Sequence, residues 1–136
     1  MVHALQLALR ALRPGGILID LRPAPVQRHV GILRRGRFRR VGRLRESLAD
    51  DLAADRAITA ARAAGMFRLT GSARFQCRLI FSSTQELCEW ASEPGPGKRV
   101  LRELERRRAE MGKGTRIAIL TPVIGRAYEK LDAATE

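Results

Sequence analysis

Apolar residues at the start of the chain recur at helical spacing. Val2, Leu5, Leu9 and Leu12 share one stripe, with Gln6, Arg10 and Arg13 between them, and this predicts an amphipathic helix. Pro14 cannot continue the helix as a donor, and Gly15 and Gly16 suit the positive φ that closes a helix C-terminus. Ile17, Leu18, Ile19 and Leu21 then form a short apolar run of the kind expected for a strand covered on both faces.

The pattern continues in alternation. Val30, Ile32 and Leu33, then Gly36, then Phe38, Val41 and Leu44 predict a β-hairpin over about 29–45. Residues 48–64 read as a helix, with Ser47 and Asp50 as a capping box and Gly65 as its stop. Residues 67–81 read as a strand with Leu69, Ala73, Phe75, Cys77, Leu79 and Phe81 at alternate positions and a bend or bulge at Gly71. Ser83 and Glu86 form a second capping box, opening a short helix with Leu87 and Trp90. Residues 98–111 predict a charged amphipathic helix with Val100, Leu101, Leu104 and Met111 inward, and 117–131 a final strand ending near Tyr128. These elements predict one α/β or α+β domain over 1–136, with helices packed on a mixed sheet.

His3, Ala4, Leu5, Ala8, Leu9, Leu12, Arg13, Pro14, Gly15 and Gly16, followed by the strand, resemble the late helix and Leu-Arg-Pro-Gly-Gly turn of class I S-adenosylmethionine-dependent methyltransferases. The Phe-Ser-Ser-Thr-Gln-Glu-Leu segment at 81–87 is similar to the strand-to-helix step before that family's last hairpin strand. The resemblance covers only the distal, C-terminal half of this Rossmann-like fold, with the basic hairpin as an addition. It implies a methyltransferase-like protein without the cofactor-binding half, inactive alone or completed by a partner or by dimerisation. The family's glycine-rich turn and acidic second-strand end have no counterpart here, so no residue is assigned to cofactor, and the catalytic residues are unknown. S-adenosylmethionine is expected only if a partner completes the fold. His3, Asp20 and Arg22 fall where the resemblance implies a substrate pocket; their plain readings are a helix-start residue, a strand-end carboxylate and a solvated arginine.

In that family the strand at 17–21 pairs with a fourth strand that this sequence does not contain. One apolar edge is then left open, and a second copy, a complementary protein or the folded-back hairpin would have to cover it. A homodimer or one part of a split protein is the expectation.

Charge points to a different class. The 136-residue chain has a formal net charge of +12. From Arg22 to Arg45 there is no acidic residue, and Arg34, Arg35, Arg37, Arg39, Arg40 and Arg43 crowd the hairpin. A basic two-stranded ribbon suits a phosphate backbone, because neutralised phosphates release counterions. The alternative function is therefore nucleic-acid binding, non-specific in character, and a structural oligomerisation module is a third. The preference for Arg over Lys also follows from GC-rich codon usage, and Phe38 is the ribbon's sole aromatic, so base stacking is poorly supplied.

Other chemistry is sparse. Cys77 and Cys88 do not form a CxxC pair, and their apolar neighbours predict reduced, buried thiols. His3 and His29, without His/Cys spacing, predict no metal site. The glycine-lysine segments at 94–98 and 112–115 are similar to phosphate loops, but position 92 is Ser, position 107 is Arg and neither follows a strand; both read as loops, as does 93–97. Asp50, Asp51 and Asp55 read as acids favoured by the dipole at a helix start. No apolar run has the roughly 20 residues a membrane span requires, and no signal-peptide pattern is present, so a cytoplasmic protein without membrane partners is expected.

Overall fold

The computed structural model describes residues 2–91 and 94–132, the Val2 side chain excepted. Val2's place in the first apolar stripe and Glu93, at the head of the loop expected over 93–97, therefore lie outside the described residues.

The elements follow as α1 (Val2–Ala11), β1 (Ile17–Pro23), β2 (His29–Arg34), β3 (Arg37–Arg43), α2 (Ala49–Ala63), β4 (Phe67–Phe81), α3 (Thr84–Trp90), α4 (Lys98–Met111) and β5 (Arg116–Lys130). The protein is mixed α/β, with an antiparallel five-stranded sheet in which β5 pairs with β1, β2 and β4, and β2 also pairs with β3. The expectation of a mixed sheet is corrected. A parallel pair needs a crossover between neighbouring strands, and β1 instead lies antiparallel to β5, from Ile17 opposite Glu129 to Pro23 opposite Val123. Contacts cluster into two compact units: Met1–Pro25, Leu48–Phe75 and Val123–Glu136 form unit 1, and Val26–Ser47 with Gln76–Pro122 forms unit 2.

In unit 1, Leu5, Leu9 and Leu12 of α1 and Ile58 and Ala61 of α2 pack with Leu18, Phe67 and Tyr128. The chain leaves α1 through Gly15 (φ 73°), whose N–H donates to the Lys130 carbonyl at 2.9 Å. The Lys130 ammonium donates to the carbonyls of Leu9 (2.6 Å) and Leu12 (2.5 Å), placing a cation at a helix end that carries unpaired acceptors. At the start of α2 the cap position is Leu48, one residue beyond the expected Ser47, and it makes no side-chain cap bond. At its end the N–H groups of Gly65 and Met66 return to the carbonyls of Arg62 and Ala61.

β1 is not covered on both faces. Its side chains alternate: Leu18 packs inward, while Ile17, Ile19 and Leu21 are 48%, 65% and 60% exposed. Within unit 1 the helices cover one face of the strand, so three of the four apolar residues of the run stay outside.

In unit 2, Val30 and Ile32 of β2, Ile117 and Ile119 of β5, Leu104 of α4 and Leu87 of α3 form a buried cluster with Leu44 and Phe81. Ser83 caps α3 by accepting from the Glu86 N–H at 3.1 Å, and the Glu86 carboxylate accepts from the Ser82 N–H and hydroxyl at 2.7 Å each. Those two bonds hold the Glu86 carboxyl below the usual range. The hairpin turns through Arg35 (φ 48°) and Gly36 (φ 74°), the double positive φ of a type I′ turn that matches strand twist. Gly31 is required sterically: a Cβ there would lie 2.7 Å from Phe38 Cζ and closer still to the Arg39 carbonyl oxygen.

The hairpin is not a free ribbon. β2 pairs with β5, from His29 opposite Leu120 to Leu33 opposite Arg116, as well as with β3, so of the two hairpin strands it is β3 that lies at an edge of the sheet. Burial of Val30 and Ile32 against Ile117 and Ile119 draws β2 inward. The thiols are also a correction, because Cys77 and Cys88 are free but exposed. β4 buries only its ends, Phe67 and Phe81, and runs unbroken through Gly71; Cys88 lies beside the buried Leu87 on the outward side of α3. Among the described residues no helix is long and apolar enough to cross a membrane.

Candidate functional site

Asp20 and Arg22 point the same way because they are two residues apart on β1. Arg22 Nε donates to Asp20 Oδ1 at 2.7 Å and Nη2 to Oδ2 at 2.8 Å, a bidentate pair whose side chains are each 14% exposed. The same guanidinium reaches α2, donating to Asp55 Oδ1 at 2.8 Å and to the Asp51 carbonyl at 3.2 Å. Arg126 of β5 approaches the same Asp55 oxygen at 3.6 Å. Hydrogen bonding to Asp20, opposed by burial and aided by Asp55, raises the Arg22 pKa above its ordinary value.

This network closes the polar end of a cavity of about 150 Å³ walled by Ala4, Leu5, Ala8, Leu18, Ala54, Ala57 and Ile58. The cavity is apolar and small, and Arg22 already has carboxylate partners. An anionic substrate would have to displace Asp20 or Asp55 from it, so the chemistry of the cluster is that of a clamp between β1 and α2. Asp20 and Arg22 thus come together as anticipated, whereas His3 is exposed and does not line the cavity. Asp55 and Arg126 are partners that sequence reading missed. The signal for Asp55 was its place one turn beyond Asp51, past the first turn where dipole stabilisation alone explains an acid.

Unit 2 contains a second saturated arginine. Arg28 pairs through Nε and Nη2 with both oxygens of Glu46, and its guanidinium carbon lies 5.0 Å from the centre of the Trp90 ring. Gln27 and Glu46 bond reciprocally, Gln27 Nε2 to the Glu46 carbonyl at 2.9 Å and the Glu46 N–H to Gln27 Oε1 at 3.0 Å. These bonds tie 27–28 to 46 at the base of the hairpin.

The remaining hairpin arginines differ. Arg35, Arg37, Arg39, Arg40 and Arg43 are exposed and Arg34 half-buried, and among the described residues none has a hydrogen-bonded or ion-paired carboxylate. Their field is felt by His29, whose pKa is lowered first by burial and then by the positive charges of Arg40 and Arg43. The His29 Nδ1 atom is buried without a hydrogen-bond partner.

The glycine-lysine segments serve as connections. Gly97 is the N-cap of α4, Gly95 forms a bridge with Arg45, and Gly112 ends α4 with φ 75°. No group of three or more His, Cys, Asp or Glu among the described residues is placed to hold a metal ion. No protein-family model, curated protein or solved structure matches the chain.

Proposed function

We propose that this chain supplies the distal half of a methyltransferase-like fold, and that strands added along the outer edge of β1 complete it and bring the cofactor site. The observation that carries this reading is β1 itself. It ends the strand order, pairs with β5 alone among the described residues, and presents Ile17, Ile19 and Leu21 about half or more exposed. Edge strands that must stay solitary are blunted by charge, proline or bulges; β1 carries such groups only in its second half, at Asp20, Arg22 and Pro23, and Ile17–Ile19 carries none. The helix, positive-φ Gly15 turn and strand, followed by α2, the long β4 and β5, support the same reading.

On this reading Arg22, Asp20 and Asp55 hold β1 to α2, so that the edge is presented in a fixed position. The cofactor chemistry belongs to the added strands. The test is calorimetric titration of S-adenosylmethionine into the purified chain, with its mass from light scattering and hydrogen exchange of β1 in the same sample. A monomer giving no heat and fast exchange along the outer edge of β1 is the expected result. Cofactor binding by a monomer, or a monomer with that edge protected, would overturn the reading.

A further inference from the structure

We propose that the groove between β3 and α4 in unit 2 binds the phosphate backbone of a nucleic-acid duplex. The groove is about 640 Å³ and is lined by Val41 of β3 and by Arg99, Val100, Arg102, Glu103, Arg106 and Arg107 of α4. Gly42 lets the two elements meet, since a Cβ there would stand 2.6 Å from the Val100 side chain. β3 places the exposed Arg37 and Arg39 on the face it shares with Ile32, which packs with Leu104 of α4, while Arg43, opposite His29, lies on the other face.

Pairing separates the useful charges from the rest. Arg106 and Arg107 share Glu103, and Arg106 also bonds Glu110, which compensates that end of the groove. Arg99 and Arg102 have no carboxylate partner among the described residues, nor do Arg37, Arg39 and Arg43. Arg99 to Arg106 spans about 10 Å of helix axis at 1.5 Å per residue, the length of about three nucleotides at 3.4 Å each along one strand. Guanidinium groups suit phosphate because their planar fork can donate two parallel bonds.

The chemistry favours a duplex backbone over other polyanions. No aromatic residue lines the groove, so stacking of unpaired bases has no platform. No large exposed hydrophobic residue lies on β3 or α4, so an anionic membrane would find charge but no apolar anchor. Recognition is through phosphates and is independent of base sequence.

The experiment is fluorescence anisotropy of a short labelled DNA duplex with the full chain, followed between about 50 and 200 mM salt. The expected plot of log affinity against log salt has a slope of about −3.6, matching Arg37, Arg39, Arg99 and Arg102 at about −0.9 per phosphate. Replacing Arg39, Arg99 and Arg102 together by Gln flattens that slope by about 2.7. The triple change Arg10→Gln, Arg56→Gln and Arg74→Gln removes the same charge from exposed positions of unit 1 and leaves the slope near its starting value. Equal flattening by both triples would mean bulk charge alone and would overturn the site. Absence of duplex binding at the lowest salt, or tighter binding to phosphatidylserine vesicles, would overturn it as well. Circular dichroism of each variant confirms that a lost slope is not a lost fold.

Discussion

In unit 1 the Arg22 guanidinium is held by both oxygens of Asp20, by Asp55 and by the Asp51 carbonyl, whereas in unit 2 Arg37, Arg39, Arg43, Arg99 and Arg102 have no ion-paired carboxylate among the described residues. One residue type therefore has two physical roles in one chain. Where a guanidinium is largely removed from water, its charge is tolerable only with partners, and the partners fix its geometry. Where it remains solvated, leaving it unpaired carries little penalty and keeps its donors free for phosphate. Net charge alone, +12 for the whole chain, does not distinguish these roles.

The largest expected effect tests whether β3 is held where its arginines are needed. Gly31→Ala pushes a methyl group into the Phe38 ring and the Arg39 carbonyl, and about 3 kcal/mol of stability is lost by overpacking. Urea denaturation measures this, and an unchanged midpoint would mean that β3 does not lie close over Gly31. Arg22→Met comes next: it leaves Asp20 and Asp55 without their shared cation, and about 2 kcal/mol is lost, less than for a fully buried pair because some solvent reaches the site. Arg39→Gln, measured identically, changes stability by no more than about 0.5 kcal/mol. Similar losses for Arg22→Met and Arg39→Gln would erase the contrast between the units.

Glu103 sharpens it from the other side. Arg106 first and Arg107 second hold its carboxyl down to about 2, so both ion pairs persist throughout mildly acid solution. A depressed carboxylate contributes stability above its ordinary pKa of 4.5, and that contribution is lost as pH falls through about 2. Glu103→Gln frees Arg107 and leaves Arg106 with Glu110 alone, and the salt slope for duplex binding is expected to steepen by about 1. An unchanged slope would place that end of the groove outside the phosphate contacts.

The smallest expected effect is at His29. Its pKa lies below 6.5, chiefly from burial and secondarily from Arg40 and Arg43, so the neutral ring favours folding above 6.5 and that contribution declines as pH falls below it. In an NMR titration, Arg40→Gln with Arg43→Gln raises the midpoint only part of the way, because burial remains. No movement would show that the hairpin charges are screened from the ring.

Much of the fold was legible because periodicity reports one-sided burial directly. The α4 stripe at Val100, Leu101 and Leu104, the turn at Gly36 and the Ser83 cap are written in local sequence. What was missed depends on tertiary neighbours. Ile17, Leu18, Ile19 and Leu21 are equally apolar, and only the position of the helices decides that Leu18 is covered while the others are exposed. Cys77 has apolar neighbours in sequence, yet the strand that carries it buries little beyond its ends. The candidate site divides likewise. Asp20 and Arg22 were visible as a pair two residues apart, but their sharing of Asp55 across 33 residues was not. The hairpin arginines were visible as a cluster, but the separation of Arg28, bound to Glu46, from its unpaired neighbours required the fold.

The most direct measurement is an NMR titration of the arginine Nε–H groups with a short DNA duplex at low salt. Arg22 is expected to give a protected, ordered signal that stays still, while Arg39, Arg99 and Arg102 begin mobile and shift together as duplex is added. A moving Arg22, or unpaired arginines of β3 and α4 that remain unchanged at saturating duplex, would contradict the division between structural and phosphate-binding arginines.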